Sequence, residues 1–364
     1  MILTIISLLF VTGAVLCVDL LLIILWKPEG NSLAKYVSKE CPKVSVLVAA
    51  RNEQATLERC INALLELEYP TTQLEIFIGN DHSTDSTLEI AQSYANKYEH
   101  ISVVDIQGNL GHARGKANVL AHLANLASGD FLFITDADVA VPHGWIKGML
   151  QGFKNNKVAI VTGVTGIENS FYQDTDWLFA LGMVKVITDL GQPVTCMGNN
   201  MAISKEAYMS VGGYENIPFS ITEDFELFKQ VRKKKYDVVQ LYRNDVFGLS
   251  LPAANIHQIL NQRKRWMKGA VQLPFPIVSL LALQAIYYPA IVLLLCLVPL
   301  YGIILALLKI FLQSYFIRKA QITLHKKPIN LKFIKYEAYS LLLSMASSIF
   351  YLLPIKTVWK GRKY

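Results

Sequence analysis

The sequence predicts an α/β fold, a mostly parallel sheet flanked by helices, with transmembrane helices at its N- and C-terminal ends. Three observations carry this. Short apolar runs alternate with amphipathic stretches through the middle of the chain. A long segment at each end is nearly free of charge. The whole chain, 364 residues, is 52% hydrophobic and only 17% charged, against ~25% charged in an ordinary soluble domain. That apolar content excludes disorder, and five scattered cysteines without CxxC spacing exclude a disulfide scaffold.

The elements follow in order. Met1 to Trp26 is apolar with Asp19 as its only charge, long enough for a spanning helix. It has neither the basic n-region nor the small-residue cleavage site of a signal peptide, so a retained anchor is expected. Lys27, Lys35, Lys39 and Lys43 follow it, and the positive-inside rule then places the N-terminus outside and the next domain in the cytoplasm. Val44–Ala50, Leu74–Gly79, Ile101–Ile106, Phe131–Thr135 and Val158–Gly163 read as buried strands. Gln54–Glu66, Asp85–Tyr98 and Lys116–Ala127 read as the helices between them. From Pro276 to Ile317 the only charge is Lys309. This is about twice the length of one span, with a break expected at Pro299-Leu300-Tyr301-Gly302.

Ala338–Ile355 is a third, shorter apolar segment. A basic loop precedes it (Arg318, Lys319, Lys326, Lys327, Lys332, Lys335) and a basic tail follows it (Lys356, Lys360, Arg362, Lys363). If the segment crosses once, loop and tail lie on opposite sides, and the positive-inside rule cannot satisfy both. The C-terminal region is therefore expected to hold two or three segments. Its basic clusters suit anionic lipid headgroups and serve equally as plain topology signals. The expected organisation is a transmembrane helix at 1–26, a cytoplasmic domain at 40–254, an interfacial helix at 255–275, a transmembrane region at 276–355 and a basic tail at 356–364.

In open α/β sheets the ligand sits beyond the carboxyl ends of the strands. Arg51-Asn52-Glu53 follows the first strand, Asn80-Asp81-His82-Ser83-Thr84-Asp85 the second, and Asp136-Ala137-Asp138 the fourth. One such loop would be ordinary turn and N-cap chemistry, which is the plain reading of Asp85. Three at one edge point to a site. Asp136 and Asp138, two apart in an extended segment, can face one ligand. Such a pair suits Mg2+ or Mn2+, which take one or two carboxylates and complete their shell with substrate phosphates. A lone DxD is equally a pair of solvated turn acids. Scattered histidines without HExxH give no zinc site, and the glycines from Gly108 to Gly115 fit neither a dinucleotide nor a P-loop spacing. Arg114-Gly115-Lys116 offers cationic cover for a phosphorylated ligand, or simply a basic helix start. The net charge of +7 does not argue for nucleic acid, because no basic, aromatic-interleaved stripe lies outside the membrane-proximal segments.

Thr222-Glu223-Asp224 opens a helix at Phe225–Lys234. Acids there are stabilised by the macrodipole, or Asp224 is a general base. The dipole would lower its pKa and a neighbouring carboxylate would raise it, and the sequence leaves the outcome open. From Asn255 a helix-like stretch carries Gln262, Arg265, Trp266 and Gly269 at i, i+3, i+4 and i+7, on one face. An amide, a guanidinium and an indole there suit a phosphate and a stacked ring, and equally an interfacial helix at headgroup level.

These residues resemble the membrane-bound, inverting family-2 glycosyltransferases with a GT-A fold, among them cellulose, chitin and hyaluronan synthases and ceramide glucosyltransferase. The matching pieces, in family order, are Val44–Glu53, Asn80–Asp85, Gly115–Asn118, Thr135–Asp138, Gly198–Met201, Thr222–Asp224 and Gln262-x-x-Arg265-Trp266, within roughly residues 40 to 275.

The resemblance implies that Asp81 contacts the nucleoside and that Arg51, Glu53 and Lys116 line the nucleotide pocket. It implies that Asp136 meets the nucleotide sugar and that Asp138, with Asp136, holds the metal. Asp224 would be the base, with Glu223 beside it on the acceptor side. Gln262 and Arg265 would hold the pyrophosphate, and Trp266 would shape the acceptor side. The family often has Asp-Asp-Gly-Ser where this chain has Asn80-Asp81-His82-Ser83. The expected function is transfer of a sugar, with inversion, from a nucleotide-sugar, by expectation a UDP-sugar, to a lipid or lipid-linked acceptor at the cytoplasmic face of the cell (inner) membrane. The membrane part is short for a polymer-secreting channel. A processive polysaccharide synthase subunit is the second reading and a nucleotide-sugar-binding membrane protein the third. Oligomeric state is left open.

Overall fold

The computed structural model describes residues 1–29, 41–326, 332–356, 358–359 and 362–363. Lys35, Lys39, Lys327 and Lys360 of the basic clusters lie outside them. The first helix is α1 (Ile2–Leu25). There follow β1 (Val44–Ala50), α2 (Leu57–Leu65), β2 (Leu74–Asn80), α3 (Thr87–Ala95), β3 (Ile101–Asp105), α4 (Lys116–Leu126), β4 (Phe131–Asp136) and β5 (Val139–Ala140). Next are α5 (Trp145–Leu150), β6 (Val158–Thr162), β7 (Val164–Ile167), α6 (Phe171–Asp189), β8 (Asn200–Ser204), α7 (Lys205–Ser210), α8 (Gly213–Asn216) and α9 (Glu223–Lys233). The described chain continues through β9 (Asp237–Gln240), β10 (Phe247–Ser250), α10 (Ile256–Ala270), α11 (Phe275–Leu297), α12 (Pro299–Thr323) and α13 (Lys332–Leu352). Two compact units result. One holds Met1–Pro28, Ser170–Val186 and Ala253–Tyr364, and the other holds Glu29–Asn169 and Ile187–Pro252. Residues 170–186, within the span 40–254, thus group with the terminal segments.

The second unit is built on a seven-stranded sheet in the order β3-β2-β1-β4-β8-β6-β9. Four pairings are parallel and two, β4 with β8 and β8 with β6, antiparallel, so the sheet is mixed and mostly parallel. Val44, Val46 and Val48 of β1 join Ile76 and Ile78 of β2 in one core, with Leu57, Cys60, Ile61 and Leu64 of α2 and Trp145, Ile146 and Met149 of α5. Alternate strand residues point to one face, and i, i+3, i+4, i+7 positions of a helix cover it. A small second sheet, β5-β10-β7, lies beyond the end of β4.

Two helices begin later than their apolar periodicity indicates, because a hydrogen-bonded turn precedes each. The Glu53 carbonyl accepts from the backbone N–H groups of Thr56 and Leu57. Asp85 Oδ1 accepts from Thr87 N at 3.1 Å and from Thr87 Oγ1 at 2.5 Å. These are the turn contacts of the plain reading of Asp85, and they outweigh desolvation and hold its carboxyl below the usual range.

In the first unit, α1, α11 and α12 are long and apolar enough to cross a membrane. The expected break falls at Val298, which ends α11 and caps α12, with Pro299 at the first helical position where its missing N–H costs nothing. α13 is not among the three candidates. Its four serines and three tyrosines lower its hydropathy, and it buries Tyr336, Leu343, Ser347 and Phe350.

Asp19 and Lys309, the single charges of their apolar segments, meet. Lys309 Nζ lies 2.8 Å from Asp19 Oδ2 and 2.5 Å from Gln313 Oε1, with both charged side chains buried. Lys319 donates to Ile23 O at 2.9 Å, and Trp26 packs edge-on against Phe316. These contacts run α1 parallel to α12. A lone buried charge is far costlier than a paired one. Asp19→Leu should therefore lower stability by about 3–5 kcal/mol, and Asp19→Leu/Lys309→Met should recover most of the loss. Thermal unfolding of the detergent-solubilised variants measures this.

Candidate active site

The parallel register carries the predicted strand ends to one edge. Ala50 pairs with Asn80, and Ala49 pairs with Asp136. Arg51, Asp81 and the Asp136–Asp138 turn therefore leave adjacent strands side by side. Arg51 donates to Asp81 O at 2.6 Å, and its guanidinium stands 4.0 Å from Asp81 Oδ1. His82, where the resembling family often has glycine, takes the left-handed conformation at φ 54° and places Nδ1 3.5 Å from Asp81 Oδ1. Asn80 donates to Asp105 Oδ1 at 2.7 Å and accepts from Ser83 N at 3.3 Å, so it braces this loop. The Glu53 carboxylate accepts from Thr56 Oγ1 at 2.8 Å.

β8 runs antiparallel beside β4 and delivers the loop before it to the same edge. Thr135 Oγ1 donates to Asn199 O at 3.1 Å. Gly198 N donates to Asp224 Oδ2 at 2.9 Å, and Phe225 N to Asp224 Oδ1 at 2.8 Å. A Cβ on residue 198 would stand 2.9 Å from Asp224 Cβ, so glycine is what allows the approach.

Lys116 joins these pieces. It opens α4 after Gly115, whose φ of 59° suits glycine. Its Nζ lies 2.5 Å from Asp136 Oδ1, 3.1 Å from Glu223 Oε1 and 3.2 Å from Gly198 O. Burial opposes the lysine's charge, but Asp136, Glu223 and Asp224 outweigh it and push its pKa up. Asp224 moves the other way from a dipole-stabilised acid. Burial first, then the Glu223 charge, raises its carboxyl above the usual range against Lys116 and the two amide donors. Asp138 is pushed up to about 6 by burial and by Asp136 beside it.

Gln262, Arg265 and Trp266 belong to the other unit. They lie on α10, where Trp266 meets Trp177 of α6 edge-on at 5.1 Å.

Residues 131–353 match the family described as Glycosyl transferase family group 2, and residues 45–212 match Glycosyl transferase family 2. The chain belongs to glycosyltransferase family 2. It is 28% identical over 246 residues to a beta-monoglucosyldiacylglycerol synthase of Nostoc sp., covering 65% of this chain and 51% of the relative. It is 28% identical over 250 residues to a poly-beta-1,6-N-acetyl-D-glucosamine synthase of Staphylococcus epidermidis, covering 67% and 58%. The chain thus spans little more than half the length of these curated relatives. Its fold is shared with a mannosyltransferase of Pyrobaculum calidifontis in complex with GDP-Man and Mn2+, at a TM-score of 0.63 and 17% identity, over 96% of this chain and 98% of that one. The fold is thus GT-A-like.

The donor set of the glycosyltransferase limits the metal it can take. Among the described residues no group of three or more His, Cys, Asp or Glu side chains is placed to hold an ion. Asp136 and Asp138 remain, a pair that fits a hard cation bringing its own phosphate and water ligands and does not fit a closed zinc site. Asp138 is half-buried beside Asp136, two like charges that a shared cation would offset.

Two supports escaped the sequence reading. Ser250 Oγ donates to Asp138 Oδ2 at 3.1 Å. Arg59 donates to Asp138 O at 3.1 Å and to Leu249 O at 3.2 Å, while its guanidinium pairs with Glu168 at 2.6 Å. Only the β5–β10 register, Ser250 opposite Val139, brings them there. Asn200 is a third. It accepts from Trp145 Nε1 at 2.8 Å and donates to Val164 O and Val246 O at 3.0 and 2.9 Å, fully buried. Asn200→Ala leaves three polar groups unmet and should cost roughly 2 kcal/mol or more of unfolding free energy, read by denaturant titration.

Proposed function

We propose that this glycosyltransferase moves a sugar, with inversion, from a nucleotide-sugar to a lipid or lipid-linked acceptor at the cytoplasmic face of the cell (inner) membrane. The expected donor is a UDP-sugar. The observation that carries the reading is the Lys116 bridge, which gathers Asp136 of the DxD and Glu223 beside Asp224 into one half-buried cluster.

In this reading Asp81 and Arg51 receive the nucleoside, with Glu53 shaping the turn beside them. Asp136 meets the nucleotide sugar, and Asp138 with Asp136 would hold Mg2+ or Mn2+. Such an ion supplies charge neutralisation for the departing diphosphate. Gln262 and Arg265 hold the pyrophosphate, and Lys116 turns from its carboxylates towards it. Asp224, its two oxygens fixed by the Gly198 and Phe225 amides, takes the proton of the acceptor hydroxyl. The hydroxyl oxygen bonds to the anomeric carbon as the bond from that carbon to the diphosphate oxygen breaks. Glu223 keeps Asp224 basic, and Trp266 shapes the acceptor side.

Three spanning helices support the location. With α1 parallel to α12, Lys27 and the basic residues Arg318, Lys319 and Lys326 fall on one side, which the positive-inside rule makes cytoplasmic. The chain leaves α1 and enters α11 on that side. If α13 does not cross, the basic loop and tail share it, and the conflict seen in the sequence disappears. A lipid acceptor is favoured by the small membrane part and by the diacylglycerol-directed name of the Nostoc relative. The name of the Staphylococcus epidermidis relative favours the second reading, a processive polysaccharide synthase subunit.

Radiolabelled donor supplied to membranes separates them. A single sugar in the organic extract is expected, and a ladder of polymer would contradict the lipid reading. Asp224→Asn should reduce transfer by about 10²–10⁴-fold while nucleotide affinity stays within about twofold. Retained transfer would remove Asp224 as the base.

The pH dependence follows from the raised carboxyl. Asp224 accepts a proton only when ionised, so kcat/KM should rise with pH along a limb above the ordinary carboxylate range. Glu223→Gln removes the like charge and should move that limb to lower pH. An unmoved limb in the pH profile would contradict the coupling.

A further inference from the structure

The two middle residues of Gln262-Arg263-Lys264-Arg265-Trp266 have no part in the proposed chemistry, yet one is among the most buried charges of α10. Lys264 is 6% exposed. Its Nζ donates to Leu353 O at 2.7 Å and Phe350 O at 3.1 Å, and lies 5.3 Å from the centre of the Phe350 ring. Phe350 lies in the last turn of α13 and Leu353 directly follows it. A helix leaves its last carbonyls without intrahelical partners, and a cation there is favoured by the helix dipole as well.

Helical geometry places this contact opposite the motif face. At ~100° per residue, Gln262, Arg265, Trp266 and Gly269 cluster on one side, and Lys264 stands ~200° from Gln262. His257, seven residues before Lys264, meets Phe350 edge-on at 6.1 Å. Asn261 between them is buried and donates to His257 O at 2.9 Å. Lys264, Asn261 and His257 thus form the back of α10, with α13 behind it. Arg263, on the flank, is ion-paired with Asp176 of α6.

We propose that Lys264 is a positioning residue of the transferase: by capping α13 it fixes the rotation of α10 and so aims Gln262, Arg265 and Trp266. This rests on the assignment of Gln262 and Arg265 to the pyrophosphate. α13 is then the brace of the motif helix, which accounts for a C-terminal helix too polar to match α11 and α12. A methionine keeps the apolar stem and drops the ammonium, leaving Phe350 O without it and Leu353 O with only the Ile355 N–H at 2.8 Å, and the helix free to turn.

The test is a double-mutant cycle on the full-length detergent-solubilised protein. It reads UDP affinity by calorimetry and transfer kcat together, with elution profile and thermal unfolding checking that each variant is folded. Arg265→Ala should weaken nucleotide binding by about tenfold or more, the loss of a charge-assisted contact. Lys264→Met should weaken it by a similar factor. The double variant should be no more than about twofold worse than Arg265→Ala alone, because residues acting through one another do not add. Lys264→Arg, which can still donate to two carbonyls, should restore affinity to within about threefold. If Lys264→Met yields no folded protein, Lys264→Gln takes its place in the cycle.

If Arg265→Ala weakens binding but Lys264→Met adds to it in full, or leaves binding unchanged, the positioning role is wrong while the pyrophosphate assignment stands. If Arg265→Ala itself leaves nucleotide affinity unchanged, both readings fall.

Discussion

A lysine ammonium taken out of water needs counter-charge, and Lys116 draws it from two directions: Asp136 at the end of β4 and Glu223 at the start of α9. The Gly198 carbonyl supplies the third contact. Three chain segments far apart in sequence are thereby held at one sheet edge. The same charges act on Asp224. Glu223 pairs with Lys116, and burial first, then the Glu223 charge, keeps the Asp224 carboxyl above its ordinary range. Each added carboxylate would cost more than it returns without the lysine, and the lysine would not stay charged without them.

The membrane unit solves a similar problem by a similar pairing. Asp19 and Lys309 are each the only charge in their apolar segment, and each would be expensive alone in lipid. Joined across α1 and α12, they give a parallel register that agrees with Lys319 on Ile23 and Trp26 on Phe316. The N-terminal helix is an integral member of this unit. The proposed topology follows from its direction.

The strand ends were legible because a parallel α/β sheet gathers its loops at one edge, whatever the side chains do there. Arg51, Asp81, Asp136 and Asp138 needed only the strand assignments. The break before Pro299 was legible from the chemistry of proline. The direction of the Asp224 shift was not, since it depends on how deeply the start of α9 is buried and on the Glu223 carboxylate. β8 escaped because its antiparallel partners lie on either side of it and its run is short. Ser250 and Arg59 escaped because each acts across a register that no local pattern encodes, and Asn200, though inside the Gly198–Met201 piece, acts through the same kind of contact. Lys264 looked like one more cation in a basic run until its partners on α13 were seen.

The central claim is that Lys116 leaves its carboxylates for the donor diphosphate. Calorimetric titration of UDP, and of GDP as a comparison, with Mn2+ present, into wild type and Lys116→Met tests it directly. The account predicts that the variant loses about tenfold or more in diphosphate affinity. Equal affinity in the two proteins would contradict it and leave Lys116 a purely structural cation.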